Sequence, residues 1–138
     1  MMKGCAIMSC VFCSHIKSEQ VKYKSNHFFI VFDIDPFQKG QMLIISKAHR
    51  MNYLELTSDE YIDFHRVLSK LISILEDDLN VGVTVIMNNG RQMDEGLHFH
   101  VHIIPRYSDD SFWDNVKPKS HEINIDYIVD KLVQSTMK

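Results

Sequence analysis

The segment His98-Phe99-His100-Val101-His102-Ile103-Ile104 places three imidazoles at alternate positions. Successive side chains of a β-strand point to opposite faces, so His98, His100 and His102 share one face. Phe99, Val101 and Ile103 share the other and suit a core. A single histidine would fit a satisfied core or surface position. Three in a row exceed that reading, and also that of a plain solvent face on an edge strand. Neutral imidazole is a nucleophile and a metal ligand, and its protonated form donates to phosphate oxygens. A histidine that attacks phosphorus forms a phosphoramidate and divides one hard displacement into two easier ones. A neighbour on the same face can hold the phosphoryl oxygens as charge develops.

Cys10-Val11-Phe12-Cys13 is a second cluster. A C-x-x-C alone fits a redox pair, half a metal site or two small buried side chains. No thioredoxin-like strand-helix pattern surrounds it, which lowers the redox reading. Structural zinc needs four ligands, so two more must come from elsewhere, and spacing alone does not select them.

Elements must position these groups. His27–Ile34 and Gln41–Ser46 read as strands joined by turn residues around Asp35-Pro36 and Gly40. Residues 57–78 read as a helix that opens on a Thr57/Glu60 capping box. Its apolar face is Tyr61, Phe64, Leu68, Leu71, Ile72 and Leu75. Gly82–Met87 and His98–Ile104 read as strands, the latter stopping at Pro105. Residues 124–135 read as a helix with Asn124 as N-cap and Ile125, Ile128, Val129 and Leu132 as a buried stripe. Strands next to strands imply an α+β fold with an antiparallel sheet of about five strands and two main helices.

The chain has 138 residues, with 45% hydrophobic and 24% charged residues, as in an ordinary globular domain. Residues 1–9 are expected to be a flexible tail and 10–138 a single domain. A formal charge of −3 argues against a nucleic-acid-coating role. Any anionic ligand must therefore rely on local positive groups. Three cysteines are too few for a disulfide scaffold. With neither a secretory signal nor an apolar run of ~18 residues, the expected location is the cytoplasm, with no membrane partner.

The His98–Ile104 run matches every position of H-φ-H-φ-H-φ-φ, where φ is apolar, and so resembles the signature of the histidine triad (HIT) family. Cys10–Cys13 resembles that family's C-x-F-C. Phe32–Pro36 resembles its nucleotide-side strand and turn. Gly40–His49 resembles its G-H-x-L-x-I-P-K-x-H run, and Asn88-Asn89-Gly90 its N-x-G loop. Ile104-Pro105-Arg106 is similar to the diadenosine-polyphosphate-hydrolase side of the family. The resemblance spans roughly residues 10–107.

The resemblance implies a nucleotide phosphohydrolase that cleaves a nucleoside polyphosphate or phosphoramidate at the α-phosphate. His100 would be the nucleophile, His102 a phosphate ligand, and His98 the third member of the row. Asp33 would take the ribose hydroxyls, Phe12 and Ile34 would line the base pocket, and Asn88 would contact phosphate. Cys10, Cys13, His49 and His98 would hold a structural zinc, with no organic cofactor, and two copies would pair as a homodimer. The residue-level alternatives are a turn-capping Asp33, a core Phe12 and Ile34, and an exposed loop His49. Arg50, Arg91 and Arg106 read as solvated charges, and Trp113 as a packing residue. The loop Arg91–Leu97 departs from the family pattern, lacking its Gly-Gln-Ser/Thr part and placing Asp94 and Glu95 where a polyphosphate would lie. That departure suits a neutral or cationic leaving group such as an amine. Two other functions fit the same resemblance: a nucleotidyltransferase or phosphorylase, and a nucleotide-binding regulator with little turnover.

Overall fold

A computed structural model describes residues 9–136. The tail expected over residues 1–9 lies, apart from Ser9, outside the described residues.

The chain begins with a single helical turn, α1 (Val11–Ser14), then β1 (Val21–Lys24), β2 (Phe28–Phe32) and β3 (Met42–Ser46). Helix α2 (Ser58–Ser73) follows, then β4 (Gly82–Ile86), β5 (His100–Arg106) and α3 (Ile125–Thr136). The five strands form one antiparallel sheet in the order β1-β2-β3-β5-β4. β5 is therefore interior, flanked by β3 and β4.

The period of two divides the sheet into two faces. Phe28, Ile30, Ile44, Val101 and Ile103 pack with Val67 and Leu71 of α2 and with Leu75 just beyond it. Phe29, Val31, Leu43 and Ile45 point the other way and pack with Cys10, Phe12 and Cys13. His100 and His102 alternate with Val101 and Ile103, so the histidine row lies on the face covered by α1 rather than α2.

α2 opens as its sequence requires. Thr57 Oγ1 accepts from Glu60 N at 3.2 Å, and Glu60 Oε1 accepts from Thr57 N at 2.9 Å. The helix widens into a π-turn over Ile74–Asp78 and ends at Asn80, whose φ of 57° lies in the left-handed region that asparagine tolerates.

Four sequence expectations change. The strand expected over His98–Ile104 begins at His100 and runs through Pro105 to Arg106. Proline fits because β3 stops pairing at Met42↔Ile103, leaving Pro105 paired only with Val83 of β4. β1 was not legible in Val-Lys-Tyr-Lys, since an edge strand with alternating lysines carries almost no apolar signal. The stripe Ile125, Ile128, Val129 and Leu132 is not buried: these residues are 65%, 42%, 50% and 62% exposed. The helix itself is present, capped by Asn124 Oδ1, which accepts from Tyr127 N at 3.0 Å. Its period is right, but among the described residues the stripe stays largely exposed.

Candidate active site and metal centre

For His98 and His100 a backbone carbonyl settles the tautomer. His98 Nε2 lies 2.7 Å from the carbonyl oxygen of Ser46. A carbonyl only accepts, so Nε2 carries the hydrogen and Nδ1 carries a lone pair. That lone pair faces sulfur, with Cys10 Sγ at 3.2 Å and Cys13 Sγ at 3.6 Å. His100 is set the other way. Its Nδ1 lies 2.7 Å from the carbonyl of His98, so Nδ1 donates and Nε2 keeps the lone pair.

Burial is the main influence on all three rings. It pushes His98 down to about 4, against the Ser46 hydrogen bond, and nearby His49 and His100 push the same way. It lowers His100 too, opposed by the His98 carbonyl and by the charges of Asp94 and Asp33. His102 is lowered by burial and by His100, against Asp33 and Asp94. Neutral rings are thus favoured, and a neutral His100 has the lone pair a nucleophile needs.

One end of the row is a closed cluster. One ligand atom from each of Cys10, Cys13, His49 and His98 lies within 4.8 Å of the others. His49 Nδ1 sits 3.3 Å from Cys13 Sγ, so His49 belongs to the cluster rather than to an exposed loop. Ligand bonds of about 2.0–2.3 Å set tetrahedrally put donor atoms roughly 3.3–3.8 Å apart, close to the spacing seen here. The Ser46 carbonyl supplies the outer hydrogen bond that orients a ligating imidazole. The donor set therefore fits a tetrahedral soft metal ion. Cys13 is disulfide-bonded in this structure, contrary to the expectation of reduced thiols, and must be reduced before it can ligate.

The other end opens into a cavity of about 510 Å³ lined by Phe12, Asp33, Ile34, Asp94, His100 and His102, among others. Phe12 is buried, with its ring edge-on to His98 at 5.4 Å and to His100 at 5.0 Å. It is both core and cavity wall. Ile34 is 88% exposed at the mouth, so the core alternative fails for it. Asp33 meets its turn-capping reading and also lines the cavity. Its Oδ1 caps a turn by accepting from Asp35 N at 2.9 Å, while its Oδ2 faces the row. Among the described residues that line this cavity there is no lysine or arginine, whereas Asp33, Asp35 and Asp94 all line it.

Asn88 does not reach this wall. Gln41 was missed: it is 1% exposed and its Nε2 donates to Asp33 Oδ2 at 2.7 Å. Its signal was present in Gly40-Gln41, where the resembled run has Gly-His. Two arginines expected to be solvated are engaged. Arg50 pairs with buried Glu60 at 2.9 Å. Burial alone would raise Glu60, but the Arg50 and Thr57 hydrogen bonds hold it below the usual carboxylate value. Arg106 pairs with Asp110 at 2.6 Å and lies over the Phe112 and Trp113 rings. Trp113 is 57% exposed, so its packing is confined to that stack.

A five-stranded antiparallel sheet that presents alternate histidines to a cavity is the architecture of a histidine triad protein. The HIT domain family matches residues 15–109, and the chain belongs to that family. It is 33% identical over 107 residues to an adenosine 5'-monophosphoramidase of Candida albicans, covering 71% of this chain and 70% of that one. A crystal structure of a HIT family protein from Bacillus anthracis superposes with a TM-score of 0.68 at 26% identity, covering 98% of this chain and 99% of that one. A zinc-bound histidine triad family protein from Mycobacterium smegmatis shares the fold, with a TM-score of 0.65 at 24% identity over 81% of this chain and 85% of that one.

Proposed function

We propose that this chain hydrolyses a nucleoside 5'-phosphoramidate, releasing a nucleoside monophosphate and an amine. The observation that carries this reading is the pairing of a nucleophile-ready His100 with a cavity whose described lining has carboxylates but no lysine or arginine. A polyphosphate brings several negative charges to such a wall, whereas a phosphoramidate brings one, and its amine end is neutral or cationic. The similarity to an adenosine 5'-monophosphoramidase supports the same choice.

In this reaction the ribose hydroxyls bind Asp33, and the base lies between Phe12 and Ile34. The His100 Nε2 lone pair attacks the α-phosphorus in line. The phosphorus–nitrogen bond to the leaving amine breaks, and the amine takes a proton supplied through the histidine row. His102 donates to a phosphoryl oxygen as charge develops there. Water then attacks phosphorus and returns a proton to the row in place of the one the amine took, the bond to His100 breaks, and the nucleoside monophosphate leaves while His100 returns to its neutral form.

Zinc at Cys10, Cys13, His49 and His98 belongs to the same proposal. Four protein ligands leave no open position, so the metal would stabilise thiolates and tie α1 to β5 without entering the chemistry. The zinc-bound relative of this fold is consistent with that role.

The reading extends to a homodimer. β4 ends the sheet with an unpaired outer edge, and Val85 and Met87 beside it are 43% and 40% exposed. It also extends to the cytoplasm, where thiols stay reduced. No helix among the described residues is long and apolar enough to cross a membrane.

The deciding experiment compares release of nucleoside monophosphate from an adenosine phosphoramidate and from a diadenosine polyphosphate, with wild type and His100→Ala. Release from the phosphoramidate in preference, abolished in the variant, is the expected result. Binding without release would overturn the hydrolase reading. A product formed only when inorganic phosphate or a sugar phosphate is added would move the assignment to a transferase.

A further inference from the structure

Gln41 is buried beneath the open end of the histidine row, and every polar group of its amide is spoken for. Its Oε1 accepts from Phe37 N at 3.0 Å. A backbone N–H only donates, so this contact fixes which end of the amide is oxygen. Nε2 must then face the other way, where it donates one hydrogen to Asp33 Oδ2 at 2.7 Å. Its second hydrogen points toward His102 Nδ1 at 3.3 Å. The backbone holds the same arrangement. Asp33 N donates to Gln41 O at 3.0 Å, and Gln41 N donates to Gln38 O at 3.1 Å. Neither a flip nor a swing of this amide is available without breaking a carboxylate contact.

We propose that Gln41 is a positioning residue that holds His102 in the tautomer with hydrogen on Nε2, so that His102 presents a neutral N–H donor to the phosphate. The inference rests on the reading of His102 as the phosphate-facing ring. Nδ1 has two neighbours that compete for it. The Asp33 carboxylate would accept a hydrogen from Nδ1, but it stands 3.8 Å away, beyond hydrogen-bond reach. The Gln41 amide stands nearer and is a donor, so Nδ1 must offer a lone pair. A hydrogen on Nδ1 would meet the amide hydrogen head-on.

The remaining groups around His102 agree with this assignment. The His100 ring is 4.9 Å away, centre to centre, and edge-on, so it does not engage Nδ1. Asp94 reaches the ring only through its charge. The result is a division of labour along one strand face. His100 is held by a carbonyl with Nδ1 protonated and Nε2 bare. His102 is held by an amide with Nδ1 bare and Nε2 protonated. A row of chemically identical rings thereby offers the substrate one lone pair and one donor.

Gln41 also fastens the 33–41 loop, so loss of activity in a variant would not separate positioning from simple loop support. The tautomer separates them. Long-range proton–nitrogen NMR on the full 15N-labelled chain reads which ring nitrogen of His102 carries hydrogen. The spectrum is taken without substrate, about two units above the ordinary imidazole pKa of ~6.5. His102→Asn identifies the signal. Wild type is expected to show hydrogen on Nε2. Gln41→Glu has the same shape but only accepts, and is expected to move the hydrogen to Nδ1. Gln41→Leu is expected to leave a mixture. Loss of one preorganised donor is expected to lower kcat of Gln41→Glu about 10²-fold. Hydrogen on Nδ1 in the wild-type protein would overturn the proposal, and that arm depends on no variant folding. An Nε2 tautomer that persists unchanged in both Gln41 variants would overturn it equally. Because the spectra need no substrate, a moved tautomer in a chain that cleaves no phosphoramidate would sink the proposed reaction and leave the role of Gln41 intact.

Discussion

The two ends of the histidine row use one residue type for opposite purposes. At the closed end His98 is fully buried, and its Nδ1 faces two sulfurs. At the open end His102 lines a cavity whose charged members are carboxylates. The two rings lie four residues apart, His102 on β5 and His98 just before it. What differs is the group that holds each ring: the Ser46 carbonyl at one end and the Gln41 amide at the other. A histidine becomes a ligand or a donor according to what occupies its second nitrogen, more than according to its place in a motif.

The comparison can be broken most severely at its middle. His100→Ala is expected to lower kcat/KM by roughly 10³-fold or more while metal content is unchanged. Parallel activity and metal analysis checks this, and a variant that also loses metal would show that the two ends are not separable. Cys10→Ala strikes the closed end. It is expected to abolish stoichiometric zinc in reduced protein and to lower Tm by about 10 °C, as loss of a structural ligand costs a few kcal/mol. Zinc analysis and thermal melts measure both. Asp33→Asn strikes the open end, with an expected rise in KM of about 10-fold for a ribonucleotide and little change for its 2'-deoxy form.

Smaller effects sharpen the contrast further. Asp94→Asn is expected to raise the ratio of polyphosphate to phosphoramidate kcat/KM by about 5-fold, since it removes one repelling charge at the cavity rim. The acid limb of the pH–rate profile supplies the last test. Burial lowers both His100 and His102, so both stay neutral as pH falls through the ordinary value of ~6.5, and activity is lost only below it. In the unfolded chain both rings regain ordinary proton affinity. The unfolded state then binds more protons just below that value, so stability falls as pH falls through it. An acid limb above the ordinary value would mean that Asp33 and Asp94 outweigh burial.

Much of this site was legible because it is written in a local period. Alternation placed His100 and His102 on one face and Val101 and Ile103 in the core. The capping box at Thr57 announced α2 for the same reason. What failed to show was long-range or one-sided. Gln41 meets His102 across 61 residues of sequence, and its one signal was its place in the resembled run, where the family has histidine. His49 joins Cys13 across 36 residues, and only the resemblance to the family's run selected it. Pro105 was read as a stop because its pairing on a single side depends on where β3 ends. α3 shows the converse. Its period was read correctly, but period says only that a stripe exists and not whether the same chain covers it.

The four-residue α1 carries a further consequence. Its turn and N-cap serve two sites: Cys10 and Cys13 face the candidate metal centre, while Val11 and Phe12 line the cavity. Fixing a backbone costs about 1–2 kcal/mol per residue, and here a single ordering serves both. Whatever share of that cost one ligand meets, the other need not meet again. On the proposed reading, metal and nucleotide affinities are linked, and the factor by which each improves the other must be the same in both directions.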